Sequence, residues 1–245
     1  MAERYMLIGC AVMYREICLC AAQSKNIIDF EFMDKGLHDI GEKAMSNALQ
    51  QVIDSVDTQK YSAILLCYGL CNYGVKGLHA KIPLVIPKAH DCITLFMGSK
   101  EKYSRYFNSN PGTYYRTSGW IERGSFGLDG EEDVMSQLGI KPGADYSQYG
   151  EENAKYLMEM LGNWTSNYTK QTFIDTGVGD VTVYEAMVEE EAKARGLDYE
   201  SIKGDPRLIR LLMDGDWDEA EFLVVPPGNK ITAAYDDAIM SYQVV

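Results

Sequence analysis

Histidine is scarce in this sequence, three residues in 245, and positive charge is in deficit. Against 36 aspartates and glutamates stand 23 lysines and arginines, for a net charge of -13. A surface of that sign repels phosphate backbones and anionic lipid, so neither nucleic acid nor a membrane surface is an expected partner. Long apolar runs are missing as well; none approaches the ~20 residues of a membrane span. The start, MAERYMLIGC, carries Glu3 and no long apolar core. It does not read as a secretory signal, and a cytoplasmic setting is the expectation. The CxxC spacing of zinc ribbons is absent. FIDTGVGD places Gly177 and Gly179 before a helix, but it lacks the lysine of a P-loop and the third glycine of a dinucleotide fingerprint.

What the sequence does have is apolar content, at 46%, and six cysteines. In a reducing compartment thiols are metal-binding, catalytic or simply buried more often than paired. Their placement therefore decides what they can do, and placement follows from the order of elements.

Tyr5 to Ile8 reads as a strand ending at Gly9-Cys10, followed by a helix over MYREICLCAAQ and a second strand, IIDFEFM. The next helix, DIGEKAMSNALQQVIDSV, carries Ile40, Ala44, Ala48, Val52 and Val56 at helical spacing. Strands follow over Tyr61 to Cys67 and Ile82 to Pro87. Continuous rather than alternating apolar strands in β-α-β-α-β order predict a parallel sheet covered on both faces. The C-terminal part repeats the order: strand QTFIDTG, helix VTVYEAMVEEEAKARG, strand DYESIKG, helix DPRLIRLLMDG and strand AEFLVVPPG. The expected fold is α/β, two Rossmann-like parallel-sheet lobes related by approximate internal duplication. Residues 1–97 form the first lobe and 168–245 the second, with its tail returning to the first. Between them, 98–167 is an insertion rich in glycine and aromatics, including a helix over SQYGEENAKYLMEMLGNW.

Ligands of open parallel sheets bind outside the carboxyl ends of the strands. Cys10 ends the first strand, Cys67 the third, and Cys71 follows in its loop; His90 and Cys92 follow the fourth. Four of the six cysteines and one of the three histidines thus fall on one sheet edge. Thiolate and imidazole suit zinc, and thiolates suit iron–sulfur clusters. The candidate metal ligands are Cys10, Cys67, Cys71, His90 and Cys92, with zinc or an iron–sulfur cluster as cofactor. Cys92 at a helix start is expected to tend toward thiolate, and Asp91 to cap that helix or stand behind His90. Cys18 and Cys20, two apart on a helix, read as structural; His38 and His79 sit in turns and read as solvent-facing. PGTYYRTSGW is expected to wall the site, with Tyr114, Tyr115 and Trp120 as its apolar face and Arg116 pairing with an anionic group of a small-molecule substrate. A Cys/His hydrolase would need one activated thiol and a base, and four clustered thiols exceed that requirement.

YGLC, IPKAHDCITLFMGSKEKY and PGTYYRTSGW together resemble a family of unknown function, the domain of unknown function numbered sixteen thirty-eight, over nearly the whole chain. Its members occur in methanogenic archaea and anaerobic bacteria, often beside genes for corrinoid-dependent methyl transfer. The resemblance implies anaerobic one-carbon metabolism as the setting and a corrinoid protein as a partner. The His90-x-Cys92 pair is also similar to the zinc-binding HxC of methyltransferases that pass a corrinoid-borne methyl group to a thiol. Those enzymes add a distant cysteine, which Cys67, Cys71 or Cys10 would mimic; they are barrels, and only the local chemistry compares. The expected function is a metal-thiolate protein that activates a thiol as methyl acceptor. The alternatives are an iron–sulfur or metal-carrying accessory protein without turnover, and a small-ligand binding module whose cysteines are structural.

Overall fold

Strands that are apolar without alternation must be covered on both faces. In the computed structural model, which describes residues 2–38, 41–71, 73–123, 168–234 and 238–245, β3 (Ala63–Cys67) and β4 (Leu84–Pro87) are buried at every residue. They lie beside β1 (Arg4–Cys10) and β2 (Ile27–Met33) in a five-stranded sheet of order β2-β1-β3-β4-β8. The first four strands are parallel, and β8 (Phe222–Val225) closes the edge antiparallel to β4. A second, all-parallel sheet has the order β5-β6-β7, formed by β5 (Thr113–Arg116), β6 (Lys170–Asp175) and β7 (Asp198–Lys203). An antiparallel hairpin pairs β9 (Asn229–Ala233) with β10 (Met240–Val244). The protein is mixed α/β with parallel sheets, as its apolar strands predict.

Seven α-helices occur among the described residues. The N-terminal part of the chain contributes α1 (Tyr14–Gln23) and α2 (Glu42–Ser55). α3 (Cys92–Met97), α4 (Lys100–Ser109) and α5 (Ser118–Glu122) follow β4. α6 (Thr182–Arg195) connects β6 to β7, and α7 (Arg207–Asp214) follows β7. None is long and apolar enough to cross a membrane. α2 buries Met45, Leu49 and Ile53, one position on from the stripe of Ala44, Ala48 and Val52 that the spacing suggested. Both rows recur every four residues; the row with the larger side chains removes more apolar area from water and wins the core. Gly196, left-handed at φ 69°, stops α6 as expected.

The C-terminal part departs from a strand-for-strand repeat of the first. β6-α6-β7 has the parallel strand–helix–strand order of β1-α1-β2, but β8, the expected counterpart of β3, does not join β6 and β7. The cause is α7, which buries Leu208, Ile209, Leu212 and Met213 and packs on α1, β3 and β4. The chain leaving it is delivered to the edge of β4, and β5 takes the place beside β6. The two sheets therefore do not reproduce each other. The hairpin also returns to the first sheet's loops, with Gly77 N donating to Ile231 O and Ile231 N to Leu78 O, at 2.8 and 2.9 Å. Ile40, the His38 side chain and the expected helix over SQYGEENAKYLMEMLGNW lie outside the described residues.

Candidate functional site: a cavity lined by thiols and aromatic rings

Two glycines set the geometry of the strand ends. A Cβ on Gly69 would lie 2.7 Å from Asp91 N and 2.8 Å from its Cα, so only glycine lets the loop after β3 press against the loop after β4. The two loops are laced by backbone hydrogen bonds, Leu70 N to Ala89 O at 2.7 Å and Cys71 N to His90 O at 3.0 Å. Cys71 itself is held at φ 43°, in the left-handed region, a conformation that non-glycine residues adopt at a cost and that concentrates at functional sites. On the far side, a Cβ on Gly119 would fall 1.6 Å from Val12 O. Its absence seats α5 directly on the turn that follows Cys10. Thr117 caps α5 by accepting from Trp120 N at 3.3 Å, which fixes where Trp120 enters.

These contacts enclose a cavity of about 340 Å³ outside the carboxyl ends of β1, β3 and β4. Three thiols line it, Cys10 from β1, Cys71 from the loop after β3, and Cys92 at the start of α3. Opposite stand Thr113, Tyr114, Tyr115 and Trp120, with Tyr168 joining from the residue run before β6. The Tyr114 and Tyr168 rings meet edge to face, 5.2 Å apart. Tyr68, Met13 and Met45 complete the apolar lining, and Asp91 supplies a carboxylate. That volume is of the size that takes a small molecule.

Asp91 is committed before any ligand arrives. Its Oδ1 accepts from Ile93 N and Thr94 N at 3.0 and 3.3 Å, capping α3, and its Oδ2 accepts from the Tyr103 hydroxyl at 3.0 Å. Burial nevertheless raises its pKa, the hydrogen bonds only partly offsetting desolvation. Burial also pushes the Cys71 thiol up to about 12, against backbone hydrogen bonds from Gly69 and Cys92 that lower it. Cys92 is raised too, first by burial and then by Cys71 and Asp91, while a hydrogen bond from Trp120 pulls the other way. The expected drift of Cys92 toward thiolate is thus reversed. α3 has only six residues, and its N-terminal field is already answered by the Asp91 carboxylate.

The structure brings together some of the expected site residues and separates others. Cys67 is fully buried behind the cavity, its Sγ 4.0 Å from Met13 Sδ. His90 is exposed and lines a different cavity with Lys100 and Arg105, so the HxC pair does not face one space. Arg116 is buried outside the cavity, 3.6 Å from Glu191 and 5.9 Å from the centre of the Tyr114 ring. Its charge is answered by Glu191 of α6 rather than by anything in the cavity. Among the described residues no three His, Cys, Asp or Glu side chains stand so as to hold a metal ion. No cysteine forms a disulfide. Cys20 packs in the core and Cys18 is half-buried on α1, apart from the cavity as expected. His79 is half-buried rather than solvent-facing, with its backbone N donating to Gln50 Oε1 at 3.1 Å. Tyr68, Tyr168 and the two methionines were not singled out from sequence. Tyr68 had a signal, since it lies between two thiols in the loop that leaves a strand; Met45 had none, because it arrives from a helix remote in sequence.

Fold and site together define a mixed α/β protein with parallel sheets and a thiol- and aromatic-lined cavity at its strand ends. The family model described as "Protein of unknown function (DUF1638)" matches residues 32–213. The chain belongs to that family. No curated protein and no solved structure matches it.

Proposed function

We propose that the cavity is a soft-metal thiolate site that presents a small ligand to the aromatic wall. The observation that carries this is the convergence of Cys10, Cys71 and Cys92, from three different strand-end segments, on one cavity. The donor chemistry is of the kind zinc takes, since three soft protein ligands with a fourth position for a ligand is a pattern of catalytic zinc, although among the described residues no three such side chains stand so as to hold an ion. It fits a cluster less well, because a cluster asks for four thiolates and Cys67 is turned away toward Met13. His90 is left out of the proposed set.

Burial raises the pKa of Cys71 and Cys92, so a metal held there would have to displace their protons. As bare thiols they would remain protonated near neutrality and make poor nucleophiles, whereas a bound metal takes the place of the proton. A zinc ion held there would also deprotonate a ligand thiol. Within the corrinoid-linked methyl transfer that the family resemblance implies, that ligand would be the methyl acceptor and the corrinoid protein the donor. The chain's own residues exclude water through Trp120, Tyr114 and Tyr168, and hold Cys71 and Cys92 at fixed separation through the laced loops.

Elemental analysis of anaerobically prepared protein tests the proposal, with wild type compared with Cys71→Ser, Cys92→Ser and Cys18→Ser. About one zinc per chain in wild type and Cys18→Ser, with loss in the other two, is the expected result. Equal metal in all four sinks it. A second reading, a small-ligand module whose cysteines are wall, is favoured by the fact that among the described residues no three potential ligands stand so as to hold an ion. It prevails if wild type holds neither zinc nor iron.

A further inference from the structure

The hydroxyl of Tyr68 has no hydrogen-bond partner, although the residue is only 3% exposed. Tyr68 lines the thiol cavity, and so does Tyr115, whose hydroxyl is likewise buried and unpartnered. Buried polar groups are satisfied in nearly all native proteins, and an unsatisfied one destabilises the fold. Two residues that line one cavity thus carry phenol hydroxyls with no partner among apolar rings, polar groups of the kind a bound ligand could satisfy.

Charge narrows the ligand further. Among the described residues no lysine, arginine or histidine lines this cavity. Arg116, the nearest candidate along β5, faces Glu191 instead. An anion entering would lose its hydration and meet the Asp91 carboxylate without a lysine, arginine or histidine among the described lining residues; the described cation beside the wall, Lys35, stands over the Trp120 ring at 5.1 Å. A cation would gain little, because Asp91 already accepts from two backbone N–H groups and from Tyr103.

We propose that the cavity binds a small uncharged ligand with an apolar, ring-sized body and a hydrogen-bond acceptor, and that the Tyr68 hydroxyl donates to that acceptor. This rests on the cavity being the functional site, and it names the chemistry the site selects; it does not require the metal. Tyr115 offers a second donor on the opposite wall, and Trp120, Tyr114 and Tyr168 pack the body.

Three probes of one shape test it by calorimetry on the full chain: benzamide, which is neutral with an acceptor; benzoate, its anionic counterpart; and toluene, the body alone. Benzyltrimethylammonium serves as the cation. Benzamide is expected to bind at least about tenfold more tightly than the other three, the worth of one well-made hydrogen bond in a desolvated site. Tyr68→Phe should bring benzamide down to the level of toluene and leave toluene unchanged. In the ligand-free state the variant should be no less stable than wild type, because the hydroxyl it loses bonds nothing. Equal binding of benzoate or the cation, a benzamide preference that survives in Tyr68→Phe, failure of every probe, or a destabilised ligand-free variant overturns the inference. Metal content measured on the same samples separates the two readings. Metal-free protein with the expected probe pattern removes the metal and keeps the ligand class; metal-loaded protein without the pattern does the reverse.

Discussion

Gly69 and Asp91 touch backbone to backbone: a Cβ on the first would sit within 2.9 Å of the N, Cα and C of the second. That contact is what places Cys71 and Cys92 on one wall, since each thiol follows one of the two residues in its loop. It is backbone against backbone, so no side chain can swing aside to relieve it. Gly69→Ala must therefore push the two loops apart and strain the Leu70–Ala89 and Cys71–His90 hydrogen bonds. Overpacking of this kind costs about 1–3 kcal/mol. Denaturant unfolding of the variant should show a loss in that range. A variant as stable as wild type would mean that the loops are not held against each other.

Gly119 has the same role on the opposite wall, where its α-carbon leaves room for Val12 O. Gly119→Ala should lift α5 from the turn after Cys10 and carry Trp120 outward. Alkylation followed by mass spectrometry reads this directly, because Trp120 lines the cavity beside Cys92 and hydrogen-bonds to it, while Cys18 is not part of the cavity. Labelling of Cys92 should rise several-fold while that of Cys18 stays constant. Unchanged labelling of Cys92 would show that α5 is not the cover of the site.

Much of this was legible in the sequence, for reasons that can be named. Strands such as AILLC and LVIP announce themselves because burial on both faces removes alternation. The rule that ligands gather at the carboxyl ends of parallel strands then places Cys10, Cys71 and Cys92 together without any structure. PGTYYRTSGW was legible as a wall through its aromatics. What was not legible was direction and partner. His90 and Cys92 stand two apart, yet the Asp91 cap turns the chain between them and sends them to separate cavities. The fate of β8 was hidden for a different reason. Its own four residues would suit either sheet, and the choice is made by α7, whose apolar face fits α1, β3 and β4.

Glu16 tests the join between the two sheets. On α1 it is 2% exposed, its Oε1 accepting from the Thr176 hydroxyl at 2.7 Å in the loop after β6, while its Oε2 has no partner. Burial raises its pKa; the Thr176 bond lowers it, and nearby Glu122 and Arg15 act in opposite senses. Because the folded-state value lies above the unfolded one, the folded protein binds the proton more tightly. The stability linked to that proton is complete below about pH 4, the unfolded carboxyl range, and is lost as pH rises through the folded value. Glu16→Gln keeps an oxygen for Thr176 and removes the charge, so it should escape this loss. Thermal unfolding followed from pH 4 to pH 8 should show the variant gaining on wild type as pH rises, and the opposite drift for Glu122→Gln, which should lose ground to wild type above the carboxyl range because the parent carboxylate is held low by Arg15. If Glu16→Gln loses ground to wild type toward pH 8, the ionised carboxylate has a compensating partner, and α1 is fastened to the second sheet by a charge rather than by a neutral hydrogen bond.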